Sequence, residues 1–282
     1  MKSVIVIGSG FAGLSSASFL AKAGYDVTLL EKNNHLGGRA HVYHEGGFTF
    51  DMGPSWYWMP DVFERYFEQF GKKVSDLYDL VRLDPSYRVV FSETDFEDQS
   101  AQLDGLVAMF DRLDPGSGKR LRKFLDEGAY KYEVGIQDLV FRPGRSLLEF
   151  ADWRIAKGLF QLDLLKNIRK HVAEVSTHPK LKAILEFPVL FLGALPQNTP
   201  ALYSLMNYAD MVLGTWYPMG GMHKIIEGMV QVAKELGVKF RTGAEVTGFK
   251  YAGNRIVNVI TKGGSFSADI VVNAADYHHI DQ

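Results

Sequence analysis

Lys2-Ser3-Val4-Ile5-Val6-Ile7-Gly8-Ser9-Gly10-Phe11-Ala12-Gly13 is the stretch whose reading decides the fold. A short apolar run rich in β-branched residues stops at a glycine turn. Leu14 to Ala23 then carries apolar residues at helical spacing, and Gly24 ends it as a C-terminal glycine does. A second strand, Asp26 to Leu30, closes on Glu31, 18 positions after Gly13. Strand, glycine turn, helix, strand and acid together make a βαβ dinucleotide fingerprint in its required context. Gly8 allows the tight turn, Gly10 lets backbone approach a pyrophosphate, and Gly13 lets helix and strand pack closely. The helix N-terminus, through Phe11 and Ala12, offers N–H groups and a partial positive charge to phosphates. Glu31 can accept from ribose hydroxyls, and an acid there disfavours a 2′-phosphate, which points away from NADP.

Outward from this motif, Glu31-Lys32 leads into Gly37-Gly38-Arg39. A second glycine pair and a guanidinium so close to the ribose acid suit a pyrophosphate, because the arginine fork matches phosphate oxygens bidentately. Asp51-Met52-Gly53-Pro54-Ser55 follows as a strand running into a glycine-proline loop, with Trp56-Tyr57-Trp58 directly after it. Those aromatics fit either a cofactor face or a hydrophobic plug.

The 282 residues are 46% hydrophobic, enough for one large or two medium domains. A net charge of −2 gives no signature for nucleic acid. The absence of cysteine excludes disulfides, thiolate metal sites and thiol nucleophiles. His41 and His44 read as surface residues rather than ligands, so no metal is expected. The apolar run from Phe187 to Ala209 is broken by Pro188, Pro196 and Pro200 and does not read as a spanning helix.

Further along, helices are expected at Asp61 to Phe70, Gln102 to Leu113 and Gly118 to Phe141, the last partly exposed at Lys131-Tyr132-Glu133. Tyr87 to Phe91 reads as a strand and Glu93 to Asp98 as an acidic solvated turn. From Arg142 to Lys182, nine Lys or Arg face four acids, a net of +5, around an apolar stripe from Ile155 to Val172. This fits a basic amphipathic helix on an anionic membrane surface or an ordinary surface helix. Leu185 to Leu213 reads as helix, loop, helix. A glycine-bearing loop, Tyr217-Pro218-Met219-Gly220-Gly221, precedes a helix to Leu236. Strands are expected at Val238 to Phe240, Glu245 to Phe249, Arg255 to Thr261 and, as a buried type, Asp269 to Ala275.

Taken together these motifs resemble bacterial-type phytoene desaturases, the carotenoid branch of the FAD-dependent amine oxidase superfamily. The aromatic stretches around Pro54 to Pro60 and Leu213 to Pro218 carry the resemblance to desaturases. It implies an α/β fold: an FAD-binding Rossmann-like domain of the glutathione-reductase type, with an inserted, mainly helical substrate or membrane region. The expected division is residues 1–84 and 213–282 for FAD and 85–212 for the insertion. The cofactor-binding set implied is Gly8, Gly10, Phe11, Ala12, Gly13, Glu31, Lys32, Gly38, Arg39, Gly53, Pro54, Ser55, Val246 (through its backbone, to adenine) and Ala274. The activity implied is desaturation of a long apolar polyene, phytoene towards lycopene, with hydride transfer to FAD and either a quinone or oxygen as acceptor. No catalytic residue is assigned. An amine oxidase or polyene isomerase on the same scaffold, or an inactive flavin-binding fragment, are the alternatives. Members of this family are longer and close the flavin site with a C-terminal glycine-rich segment, so the sequence reads as an N-terminal fragment. A cytoplasmic, peripherally membrane-associated protein is expected.

Overall fold

A computed structural model describes residues 1–142, 145–146 and 166–276. The expected amphipathic stripe beginning at Ile155 lies largely outside the described residues. The chain forms two compact units: residues 1–57, 61–81 and 217–282, and residues 58–60 and 82–216.

The first unit is built on the motif. Strand β1 (Ser3–Ile7), helix α1 (Phe11–Lys22) and strand β2 (Asp26–Leu30) follow the sequence reading closely. β1 buries Val4, Ile5, Val6 and Ile7 on both faces, as a run of β-branched residues inside a parallel sheet must. The strands Lys239–Arg241, beside β2, and Ile270–Asn273, beside β1, complete the parallel sheet. The Ile270–Asn273 strand is half-buried rather than fully buried, because among the described residues it is an edge strand paired to β1 alone. The antiparallel strands Val246–Ala252, Arg255–Thr261 and Gly264–Ser267 form a second sheet. Ile5, Ile7 and Leu30 share one core with Val259, Val246, Phe249 and Phe266 from that sheet. On the other side α1 packs on β1, β2 and the helix Lys224–Glu235. A two-stranded hairpin, β3 (Val42–Glu45) and β4 (Phe48–Asp51), and helix α2 (Pro60–Glu68) complete the unit's first half.

The second unit is mainly helical. α3 (Leu103–Leu113), α4 (Ser117–Tyr132) and the helices Ile168–Val175 and Pro179–Glu186 meet in a core around Phe110, Leu121, Phe124, Val172 and Ile184. Two expectations change here. Asp95–Gln99 is a strand, paired antiparallel to Tyr87–Ser92, and not a solvated turn. Its alternation is inverted: Glu97 and Gln99 point inward while Phe96 stands exposed beneath the Arg88 guanidinium, 3.9 Å from its carbon. Arg112 and Lys180 hold Glu97, which is what allows a carboxylate on the inner face. Lys131 is fully buried rather than exposed, with Nζ 3.3 Å from the Ala201 carbonyl and 3.2 Å from Ser204 Oγ. Leu185 to Leu213 keeps the expected order of helix, loop, helix: a 3₁₀ helix at Phe187–Leu192, then a continuous helical run over residues 201–213 that passes from 3₁₀ through α (Leu205–Tyr208) to π. No helix among the described residues is long and apolar enough to cross a membrane.

Candidate functional site

The site is the C-terminal end of β1 and what gathers around it. Gly8 has φ +96°, and a Cβ there would sit 3.1 Å from the Ala274 carbonyl oxygen. Ala274 is held beside the turn by its N–H on the Ile7 carbonyl at 2.9 Å. A Cβ on Gly13 would lie 1.9 Å from the Gly8 carbonyl oxygen, so helix and turn touch with no space for a side chain. Gly10 differs from both. Its backbone is extended (φ −71°, ψ −177°), and a Cβ there would meet nothing within 4 Å. It precedes α1, whose N-terminus has no side-chain cap and no acid in its first turn. The open space therefore faces an uncapped, partially positive helix end, with Phe11 and Ala12 exposed beside it.

Glu31 is buried, and its carboxylate is fully engaged. Oε2 accepts from the Ser9 N–H at 3.0 Å and the Ser9 hydroxyl at 2.5 Å. Oε1 accepts from the Asn33 N–H and side-chain amide, both at 2.9 Å. The sequence reading did not single out Ser9 or Asn33. A hydroxyl between two turn glycines, with a buried acid one strand away, was the available signal.

The Gly37-Gly38-Arg39 loop closes on the same turn. The Gly37 N–H donates to Ser9 Oγ at 3.2 Å, and a Cβ on Gly38 would meet Gly10 Cα at 3.2 Å. Gly53 is fixed by contact: a Cβ there would be 2.1 Å from the Arg39 carbonyl oxygen. Asp51 binds this loop to the later glycine motif by accepting from the Met222 N–H at 2.9 Å. His223 Nδ1 lies 2.8 Å from the Ala40 carbonyl. Lys32, Arg39 and Ser55 are exposed and Pro54 half-buried. Among the described residues Arg39 makes no ion pair, which leaves its guanidinium available to an anion. Val246 begins the strand Val246–Ala252 just past Ala244, whose N–H donates to the Glu31 carbonyl at 2.8 Å. Gly8, Gly10, Gly13, Gly38 and Ala274 thus meet at one turn, with Glu31 and the start of the Val246–Ala252 strand on its flank.

The flavin containing amine oxidoreductase family matches this chain over residues 11–281. The chain belongs to that family. A carotenoid 3,4-desaturase of Haloarcula japonica is 40% identical over 280 residues, covering 99% of this chain and 57% of its own. A zeta-carotene-forming phytoene desaturase of Myxococcus xanthus is 33% identical, covering 97% of this chain and 53% of its own. The chain thus spans about half the length of the curated relatives it matches. Among solved structures, an oxidoreductase from Methanosarcina mazei superposes with TM-score 0.58 at 19% identity, covering 96% of this chain and 58% of that one. A putrescine oxidase variant superposes with TM-score 0.62 at 18% identity, covering 99% and 59%. These two share the fold.

Membership of this flavin family makes FAD the cofactor against which the site is to be judged. The residues present fit FAD: Gly10 leaves space that no protein atom fills, beside an uncapped helix N-terminus and an exposed arginine. Glu31 is the exception to a simple fit, because protein donors already occupy both of its oxygens. Among the described residues no cluster of His, Asp or Glu could hold a metal ion. His41 sits with Nδ1 2.8 Å from the Gly38 carbonyl, its ring stacked on His35 at 4.7 Å, and His44 pairs with Thr49.

The Trp56-Tyr57-Trp58 cluster divides. Tyr57 is a plug: buried, with its ring 4.7 Å from Phe63 and its hydroxyl 2.9 Å from that of Tyr78. Burial pushes the Tyr78 phenol up to about 12 and the Tyr57 phenol higher still. Trp58, in the second unit, ends a buried polar chain. Its indole donates to Thr215 Oγ1 at 2.7 Å, which donates to Asp210 Oδ1 at 3.2 Å, while the Tyr87 hydroxyl donates to Oδ2 at 2.5 Å. Burial raises Asp210 from 3.8 to about 6, against the two hydroxyls that favour its charge. The folded state therefore holds this proton more tightly than the unfolded chain, and that stabilisation is lost as pH rises from 3.8 through about 6. Asp210→Asn should remove this dependence. Between about pH 4 and pH 7, wild type should lose on the order of 3 kcal/mol of stability relative to the variant. Denaturant melts at both pH values check this, and parallel curves would refute it.

Proposed function

We propose that the complete protein is an FAD-dependent carotenoid desaturase acting on a long apolar polyene, phytoene towards lycopene. One observation carries the reading: relatives with carotenoid desaturase names match this chain over nearly all its length, at 40% and 33% identity. FAD, when bound, supplies the acceptor for hydride removed from the substrate. The chain's own residues bind and orient. Gly10 and the N-terminus of α1 receive the pyrophosphate, with Gly38 at the same turn and Arg39 countering its charge. Glu31 takes the ribose, and the backbone at Val246 meets the adenine.

Apolar chemistry in the second unit supports the substrate class. Leu190, Phe191, Leu192 and Leu195 are exposed, and Phe191 meets the Trp58 ring edge-on at 5.0 Å. An amine would need buried polar partners there, since each unpaired polar group costs about 1–3 kcal/mol. A hydrocarbon gains about 25 cal/mol for each Å² of apolar surface it buries. The nine basic residues against four acids between Arg142 and Lys182 support attachment to an anionic membrane surface, from which such a substrate could enter.

The test is to express the complete reading frame in a phytoene-accumulating host. Leu192→Gln should lower phytoene conversion at least about tenfold with flavin content unchanged, because a bound polyene would cover this exposed position and leave the amide without water. Met206 packs beside Leu205 and Tyr132, so its polar substitution should lower both. Oxidation of amines with no effect on phytoene would overturn the reading.

A further inference from the structure

We infer that Ser9 is a positioning residue for the cofactor's ribose: it holds Glu31 Oε2 in place, and the Asn33 side-chain amide yields Oε1 to the ribose. The inference rests on the cofactor reading of Glu31 given above.

Ser9 is fully buried and joined to two elements at once. Its N–H and hydroxyl both donate to Oε2. Its carbonyl and hydroxyl oxygens in turn accept from the Gly37 N–H, at 3.1 and 3.2 Å. The hydroxyl proton therefore has one direction available, towards Glu31. Hydrogen bonds to a carboxylate are stronger than neutral ones, so this pair fixes the rotation of the acid.

A carboxylate offers about four acceptor positions, and here four protein donors take them. A ribose hydroxyl must replace one of the four. The two Ser9 donors cannot leave without undoing the turn and its grip on Gly37. The Asn33 N–H is tethered too, because the same residue's carbonyl accepts from the Gly243 N–H at 3.0 Å. The Asn33 side chain alone is half-buried on a freely rotating bond, and once displaced its amide can meet water. Oε2 is thus the structural oxygen and Oε1 the one that reads the sugar.

The experiment uses the 282-residue chain freed of bound flavin, titrated with FAD, ADP and 2′-deoxy-ADP. Wild type is expected to prefer ADP over 2′-deoxy-ADP about tenfold, the worth of one hydrogen bond to a charged group. Ser9→Ala should weaken FAD and ADP about tenfold and bring that preference close to one. Ser9→Cys, which leaves no cavity and offers only a weak donor, should shift both the same way and guards against collapse of the alanine variant. Asn33→Ala should raise the preference for ADP, since it removes the competing amide. Equal weakening of ADP and 2′-deoxy-ADP in Ser9→Ala would mean a merely structural serine and would overturn the inference. Loss of the preference in Asn33→Ala would do so as well, by making the amide the sugar's partner. If wild type binds neither FAD nor ADP, the cofactor reading itself fails first.

Discussion

Gly13→Ala is expected to cost the chain its folded nucleotide turn, with a drop in melting temperature of about 10 °C or more. A methyl carbon at that position would lie 1.9 Å from the Gly8 carbonyl oxygen, against backbone that cannot yield like a side-chain tip. Relief requires α1 to lift away from β1, and Leu14 and Ala17, both fully buried, would lose their packing with it. Core overpacking costs typically about 1–3 kcal/mol and occasionally more, and a contact this short against fixed backbone belongs at the upper end, about 4 kcal/mol. For a chain of this size each kcal/mol moves the melting point by roughly 2–4 °C. Thermal melts followed by circular dichroism measure it. A variant that melts within 2–3 °C of wild type would show that the helix has room the geometry denies. Gly53→Ala carries a similar expectation, with 2.1 Å to the Arg39 carbonyl.

These close approaches are the part of the site most legible in the sequence. Glycine spacing in a strand-turn-helix is dictated by backbone geometry, so Gly8, Gly10, Gly13 and the boundaries of β1, α1 and β2 follow from local pattern alone. What the pattern could not convey is which donors a buried acid keeps. Glu31 reads as an acid awaiting a sugar, yet Ser9 and Asn33 hold both its oxygens, because a polar residue in a turn leaves no periodic trace. The link between Asp51 and Met222 was equally invisible, since 171 positions separate them. Each motif was recognised, but nothing local said that one carboxylate fastens the two together. The strand Asp95–Gln99 was missed for a third reason. Its apolar and polar faces are reversed, and the basic partners that permit this, Arg112 and Lys180, come from elements outside the window.

Gly10→Val should separate cofactor from fold where Gly13→Ala cannot. Gly10 needs to be glycine for neither its φ nor its packing, although as the residue before α1 it holds the N-cap, where glycine is favoured over valine. Its φ of −71° is open to any residue, and a Cβ there meets no protein atom within 4 Å. A valine should therefore leave the melting temperature within about 4 °C of wild type, the worth of about 1 kcal/mol at an N-cap. The same side chain would fill the space in front of the helix N-terminus, where a pyrophosphate must come within hydrogen-bond reach of backbone N–H groups. Loss of that approach removes two or more charge-assisted hydrogen bonds, so FAD affinity should fall at least about a hundredfold. Flavin titration beside a thermal melt reads both quantities from one preparation. Unchanged melting with unchanged FAD affinity would sink the assignment of this turn to the pyrophosphate. A large fall in melting temperature would instead show that the space is needed for packing, because a residue required only by the ligand cannot unfold the protein when it is replaced.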